Sequence, residues 1–256
     1  MFAFAVTAQI KRPSPPPVKK PFSEFLQAVI VITKEWKAVE GIARLYERKT
    51  PRSKWRTASE SFPVVVGRGG LGLGDSPTEL WQKDLTGLRP LIKREGDGKS
   101  PAGLFPLIFA FGSQTAPGST KLSYVVLDEF AECVDDAESS HYNTIVNRMR
   151  VGNFDWKSSE KMLAVGEQYD RGIVVGYNSY PPKSGLGSCI FLHIWKDAFT
   201  GTSGCTAMKR SDLENLLARL DPARNPYLVQ LPAAEYIRHK KPWKLPKLKI
   251  PWRVYL

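Results

Sequence analysis

The chain of 256 residues has the length of one large domain or two small ones, and its 42% hydrophobic content is sufficient for a packed core. This composition excludes wholesale disorder, and no run approaches the roughly 18 apolar residues of a membrane span. The net charge of +12 lies almost entirely at the two ends, because residues 1–23 carry +4 and residues 238–256 carry +7. The body is therefore near neutral, which argues against a basic globule.

The N-terminal segment 1–22 is predicted to be an apolar start followed by a basic, proline-rich linker. Residues 1–8 (MFAFAVTA) are apolar and end in small residues, as a secretory signal does, but no positive residue precedes them. They are either a truncated or mis-assigned signal or simply an apolar end. Five prolines between residues 13 and 21 then predict a stiff spacer. The folded domain is predicted over 23–237, with a basic tail over 238–256.

The body is predicted to be mainly β, since many short strands separated by Gly and Pro favour a sandwich or barrel over a parallel α/β sheet. Gln27–Thr33 (QAVIVIT) is a β-branched run typical of a strand. Residues 67–75 (GRGGLGLGD) lack the Walker Lys-Ser/Thr pair, so a turn rather than a phosphate loop is predicted there. Further strands are predicted at 41–48, 62–67, 104–111, 124–127, 172–177, 188–195 and 227–231.

One helix is predicted over 212–220. Ser211 and Glu214 have the spacing of a capping box, and Pro222 ends the helix. The apolar face is a stripe of leucines at i, i+3, i+4 and i+7, namely Leu213, Leu216, Leu217 and Leu220.

The segment 188–208 (SCIFLHIWKDAFTGTSGCTAM) contains the most promising chemistry. His193 is predicted near the end of a strand, and Cys205 follows Gly204 on a tight loop whose backbone N–H groups can face a developing oxyanion. An imidazole that takes the thiol proton yields a thiolate nucleophile, with an expected thiol pKa below the free value of about 8.5. By spacing alone, a buried inert thiol and a structural histidine remain the alternative.

The other cysteines and histidines are weaker candidates. A shared zinc is disfavoured, because Cys189 and His193 on one extended strand lie about 13 Å apart. No metal and no organic cofactor are expected. Cys133 lies among acidic residues, which raise a thiol pKa, and is a poor nucleophile. His141 is predicted to be exposed, and His239 falls in the basic tail.

From His193 to Cys205 the sequence resembles the L,D-transpeptidase catalytic domain family of bacterial cell-wall enzymes. Residues 202–205 (TSGC) match the family's Ser/Thr-x-Gly-Cys pattern after a strand-end histidine. Residues 93–105 (KREGDGKSPAGLF) and 173–178 (IVVGYN) are similar to two further family segments, in the same order. The resemblance spans roughly residues 27–232 and implies a single mixed β-sandwich or barrel-like catalytic domain with a few short helices.

The resemblance implies roles for individual residues. Cys205 would be the nucleophile and His193 the general base and acid, with the Gly204 and Cys205 N–H groups forming the oxyanion hole. Asn178 is also a common residue in strand-end turns, which is its alternative role. The implied substrate-binding residues are Thr202, Ser203 and Asn178.

The implied reaction is acyl transfer on peptidoglycan stem peptides through a Cys205 thioester, in the periplasm or outside the cell. L,D-transpeptidation and L,D-carboxypeptidation both fit, and a non-catalytic wall-binding module on the same fold is the alternative. Ala207 stands where many members have an Arg, close to the donor side of the site. The basic tails are expected to bind an anionic envelope surface without taking part in the chemistry, and no nucleic-acid partner is expected.

Overall fold

A computed structural model describes residues 24–74 and 91–248. The strands, in chain order, are β1 (Gln27–Thr33), β2 (Glu40–Glu47), β3 (Arg56–Thr57), β4 (Phe62–Val65), β5 (Leu71–Leu73), β6 (Ser100–Gly112), β7 (Tyr124–Val126), β8 (Ala131–Val134), β9 (Thr144–Asn147), β10 (Ser159–Lys161), β11 (Gly172–Val175), β12 (Phe191–Ile194), β13 (Thr206–Met208) and β14 (Pro226–Pro232). The α-helices are α1 (Arg210–Arg219) and α2 (Ala233–His239), and 3₁₀ turns cover Arg148–Arg150, Met162–Tyr169 and Pro222–Arg224.

Eight of the strands in the described residues close into a mixed barrel, in the order β1-β14-β6-β11-β12-β13-β4-β2 and back to β1. The barrel closes because β1 pairs parallel to β14 on one side and antiparallel to β2 on the other. β12 and β13 form a second parallel pair. The predicted mainly β, barrel-like fold is thus confirmed.

The helices cover parts of the barrel. α1 packs on β12, and α2 packs on β1 and β14. The leucine stripe of α1 is buried as predicted, and each fully buried leucine contributes about 1.5–3 kcal/mol. The predicted capping box is wrong, because α1 begins at Arg210 and places Ser211 inside the first turn, and its N-cap Lys209 makes no side-chain cap bond. None of the described helices is long and apolar enough to cross a membrane.

Two of the strand and turn predictions need correction. The strand predicted over 188–195 is limited to Phe191–Ile194, because Cys189 has a φ of 54°, which is incompatible with extended backbone. Within the turn predicted over 67–75, Leu71–Leu73 instead pairs parallel to β6 as β5. Asp75 lies outside the described residues.

A small antiparallel sheet, in the order β10-β8-β9, was not predicted from the sequence. Its strands are three or four residues long, too short for an alternating pattern to stand out. The sheet is joined covalently to the barrel, because Cys133 of β8 forms a disulfide with Cys189, just before β12. Glu160 of β10 lies opposite Cys133 in the strand register. The small sheet is therefore fixed beside the strand that carries His193.

The basic segment predicted to be a separate tail from residue 238 begins inside α2, and its described part packs against the domain. The Trp243 side chain is fully buried, and its ring lies 4.7 Å from that of His239. The Tyr236 hydroxyl donates to the Pro246 carbonyl at 2.8 Å. Residues 238–248 therefore contribute to the core rather than forming a free cationic arm.

Candidate active site

The position of His193 is set by the strands on either side of β12. In the register of the sheet, His193 lies opposite Gly172 of β11 and Ala207 of β13. The absence of a side chain at Gly172 makes room for the Phe111 ring, which a Cβ there would meet at 2.2 Å. The Nδ1 of His193 lies 2.8 Å from the Ile194 carbonyl oxygen. Since a carbonyl can only accept, Nδ1 carries the hydrogen and Nε2 presents a lone pair.

Cys205 lies immediately before β13, and its backbone is held firmly. The Cys205 carbonyl accepts hydrogen bonds from the Ser100 hydroxyl at 2.7 Å and the Thr202 hydroxyl at 2.5 Å. Its Sγ accepts from the Phe191 N–H and donates to the Cys189 carbonyl, both at 3.3 Å. The thiol is buried, with 7% of the residue exposed. These hydrogen bonds with Phe191 and Cys189 fix the direction of the Cys205 side chain.

The loop residues before Cys205 make hydrogen bonds within the protein. The Gly204 N–H donates to the Thr202 Oγ1 at 3.1 Å, so the oxyanion donor predicted at Gly204 already has an acceptor. Thr202, expected to bind substrate, uses its hydroxyl to order this loop. Ser203 is exposed and accepts from the Arg68 guanidinium at 3.2 Å. Ser203 is therefore the one of the three that presents a side chain to solvent.

Asn178, also expected to bind substrate, instead ties together the loop that follows β11. Its amide nitrogen donates to the Lys183 carbonyl at 3.0 Å and to the Gly187 carbonyl at 2.9 Å, and its Oδ1 accepts from the Lys183 N–H. Both amide hydrogens are thus used within the protein. Its left-handed backbone, with a φ of 48°, fits the turn role that was its alternative.

Tyr169 joins the two predicted catalytic side chains, and sequence reasoning missed it. Its ring lies 5.3 Å from the His193 ring, and Tyr169 packs in one buried cluster with Cys205, close enough for its hydroxyl to lower the pKa of the thiol. The same hydroxyl donates to Glu160 Oε2 at 2.6 Å. Neither residue belongs to a recognised motif: Tyr169 ends the 3₁₀ segment that packs on β12, and Glu160 lies on β10 of the small sheet. No sequence signal would have singled them out.

Burial determines the protonation of the thiol and the imidazole. It raises the pKa of Cys205 to about 12, with the negative charge of Glu160 acting in the same direction, while the Phe191 N–H and the Lys93 ammonium oppose it. Burial also lowers the pKa of His193 to about 4. The expectation of a low thiol pKa is therefore wrong for this structure. At rest the thiol and the imidazole are both neutral, so a base must act during the reaction.

The two other cysteines are not free thiols. Cys133, expected to be a poor nucleophile among acids, and Cys189, expected on the strand of His193, form the disulfide that links the small sheet to the barrel. Their sulfurs are thus unavailable as metal ligands, and no group of three His, Cys, Asp or Glu side chains in the described ranges could hold a metal ion. His141, predicted to be exposed, is half-buried with its ring 5.4 Å from that of Trp156.

Two cations lie close to the Cys205 loop. Lys93 is buried beside the backbone of Gly204 and Gly187, with its Nζ 3.1 Å from Asp97 Oδ1. A Cβ on Gly187 would come within 2.9 Å of the Lys93 side chain, so this glycine allows the close approach. Arg68 lies at the exposed end of the loop, against Ser203. The site therefore combines one thiol, one imidazole, one phenol and two positive charges.

A closed mixed barrel with a histidine on one strand and a Gly-Cys loop leading into its parallel neighbour defines an L,D-transpeptidase-type domain. The chain belongs to that family, because the model of the L,D-transpeptidase catalytic domain (YkuD) matches residues 42–230.

A solved structure similar to this chain is that of the helical cell shape determining protein Pgp2 from Campylobacter jejuni. The two are 16% identical with a TM-score of 0.40, and the match covers 81% of this chain. This chain spans about half of that protein, 48% of its length. None of the curated proteins matches this chain significantly.

Proposed function

We propose that the protein is a cysteine acyltransferase that acts on peptidoglycan stem peptides, with Cys205 as its nucleophile. One observation carries the proposal. All three cysteines of the chain lie in the described residues, and Cys205 is the free one. It follows the family's glycine, in the matched region, and its sulfur is held at a defined angle by the Phe191 N–H.

The proposed reaction begins with attack of Cys205 Sγ on the carbonyl carbon of an L,D-amide bond. A C–S bond forms, and the oxyanion accepts the Cys205 N–H, joined by the Gly204 N–H if it leaves Thr202. The Nε2 lone pair of His193 takes the thiol proton and passes it to the departing nitrogen as the C–N bond breaks. D-Ala then leaves as the free amine, and the acyl group remains on sulfur as a thioester.

The second half of the reaction reverses these steps with a new nucleophile. An amine of another stem, or water, attacks the thioester carbon and gives one proton to His193 Nε2. The C–S bond breaks, and His193 returns that proton to the sulfur. An amine acceptor gives L,D-transpeptidation and water gives L,D-carboxypeptidation, so one site serves either outcome.

The charges near the site suit an anionic donor. Ala207 leaves the position two residues after Cys205 without a cation. The Arg68 guanidinium supplies positive charge beside exposed Ser203, and the buried Lys93 ammonium, paired with Asp97, lies beside Gly204. We assign donor carboxylate binding to these two groups and to Ser203, in place of Thr202 and Asn178. The basic N-terminal linker 1–22 and the cationic C-terminal segment are proposed to bind the anionic envelope surface.

The products formed from purified stem-peptide muropeptides test this function. We expect the wild-type protein to release D-Ala, and Cys205→Ala to release none. Mass spectrometry of the products separates the outcomes, because a crosslinked dimer indicates transpeptidation and a trimmed monomer indicates carboxypeptidation. If sacculi bind equally to both variants and neither releases D-Ala, the protein is a wall-binding module instead.

A further inference from the structure

We propose that Tyr169 is a further catalytic residue, which donates a hydrogen bond to the Cys205 thiolate, and that Glu160 determines whether this hydrogen bond is available. The proposal rests on the assignment of Cys205 as the nucleophile. It concerns the reactivity of the sulfur itself, and it can therefore be tested without any peptidoglycan substrate.

The first support is the single proton of the Tyr169 hydroxyl. The hydroxyl donates to the Glu160 carboxylate at 2.6 Å, and a second acceptor, the Cys205 sulfur, lies in the same buried cluster and acts on the pKa of the phenol. One O–H can donate fully to only one of them. An ionised Glu160 takes the hydrogen and leaves an oxygen lone pair toward the sulfur. A neutral Glu160 competes less strongly, so the hydrogen can turn to the thiolate.

The second support is the rigidity of Tyr169. Its ring contacts three other rings at edge-on angles, with centroid distances of 5.5 Å to Phe111, 5.6 Å to Phe191 and 5.3 Å to His193. The side chain is buried, and β10 is fixed to β8, whose Cys133 is bonded to Cys189. The hydroxyl is therefore held in the buried cluster that contains the thiol, where a hydrogen bond to a charged sulfur is stronger than one to a neutral acceptor.

The third support is the set of charges around Glu160. Four groups act on Glu160 or are acted on by it. Two are acidic, Asp135 after β8 and Glu95 before β6. The other two are Tyr169 of the 3₁₀ segment and Cys205 of the loop before β13. Lys161, the strand neighbour of Glu160, is paired with Glu132. The pKa of Glu160 is raised to about 7, mainly by burial. The acidic neighbours act in the same direction, and the hydrogen bond from Tyr169 opposes the rise. Glu160 is also partly exposed, so its proton can exchange with water.

These relations predict how the reactivity of the thiol changes with pH. Below about pH 7, Glu160 is neutral, and the thiolate gains the Tyr169 hydrogen bond and loses a nearby negative charge. Above that pH, Glu160 ionises and raises the pKa of Cys205. The alkylation rate of Cys205 should thus climb with pH up to about 7 and then flatten, although thiolate formation alone would make it climb tenfold per unit.

The experiment measures the rate of Cys205 alkylation by iodoacetamide from pH 5 to pH 9, with mass spectrometry as readout and the disulfide intact. We expect Glu160→Gln to match the wild type below pH 6 and to react about tenfold faster at pH 8, because it stays neutral there. Tyr169→Phe, which keeps the ring contacts, should react about tenfold more slowly at pH 6. Glu167→Gln removes an exposed charge from the same segment and should leave the profile unchanged.

The double variant Glu160→Gln/Tyr169→Phe decides whether the hydroxyl mediates the effect. We expect the double variant to lose most of the increase in alkylation rate at pH 8 that Glu160→Gln alone shows. The proposal would be overturned if Glu160→Gln raised the alkylation rate equally in the wild type and in Tyr169→Phe. A wild-type rate that keeps climbing tenfold per pH unit above pH 7, or a Glu160→Gln protein that reacts more slowly than the wild type, would also overturn it. Melting temperatures of each variant verify folding. A protein that alkylates as expected but never acylates would refute the proposed function and leave this inference standing.

Discussion

Replacing His193 with alanine is expected to lower the rate at which a stem-peptide donor acylates Cys205 by about 10²–10⁴-fold. The thiol has a pKa of about 12, so it is protonated at neutral pH and needs a base as the C–S bond forms. The imidazole has a pKa of about 4, so its Nε2 lone pair is available throughout the neutral range. Stopped-flow acylation with intact-mass detection measures the effect.

The pH dependence of the wild-type protein sharpens this prediction. Because the pKa of His193 is lowered, the imidazole stays neutral as pH falls from 7 to about 5 and is protonated only near pH 4. The contribution of the base should therefore persist at mildly acidic pH and disappear near pH 4. His141→Ala, which removes a half-buried imidazole packed on Trp156, is the matched control and should acylate normally. A His193→Ala protein within threefold of the wild-type rate would exclude His193 as the base.

Removing the Cys133–Cys189 disulfide is expected to destabilise the fold by about 4 kcal/mol and to slow acylation. The stability loss follows from the chain entropy of a loop closed across 56 residues. The rate should fall because the Cys189 carbonyl accepts the Cys205 thiol and its N–H is held by Asn143. Urea unfolding of Cys133→Ser/Cys189→Ser, compared with the wild type with and without reductant, measures the first effect.

The double substitution is preferable to either single one, since a single substitution would leave an extra thiol close to Cys205. From the sequence, Cys133 was expected to be only a poor nucleophile and Cys189 a strand residue, so a role for either in positioning Cys205 was not predicted. Equal unfolding midpoints and equal acylation rates in the wild type and the double variant would contradict the role given to the disulfide.

The parts of the fold that the sequence predicted are those with a local pattern. The β-branched run Gln27–Thr33 is a strand at the predicted bounds, and the leucine stripe forms the buried face of α1. The capping box was wrong because the spacing of Ser211 and Glu214 does not fix where a helix begins. The strands β8, β9 and β10 were missed because they are short and gain their stability from neighbours distant in sequence.

In the site, too, the predicted residues are those in a local sequence pattern, and the missed ones depend on distant contacts. Cys205 and His193 were singled out because a strand-end histidine is followed, twelve residues later, by a thiol that comes directly after a glycine. Glu160 reaches the site through the small sheet, whose position depends on a disulfide between distant residues, and Tyr169 reaches it through the 3₁₀ segment that packs on β12. The raised pKa of Cys205 also depends on burial, which follows from tertiary packing and not from the neighbouring residues in the chain.

The central claim, that Cys205 is the acylated nucleophile, is tested most directly by locating the covalent adduct. The protein is exposed to a carbapenem, its intact mass is recorded, and the modified peptide is identified by proteolysis and tandem mass spectrometry. We predict one adduct per wild-type chain, on the peptide that contains Cys205, and none on Cys205→Ala, with Glu167→Gln behaving as the wild type. An adduct that persists on Cys205→Ala, or that maps to another residue in the wild type, would contradict the claim.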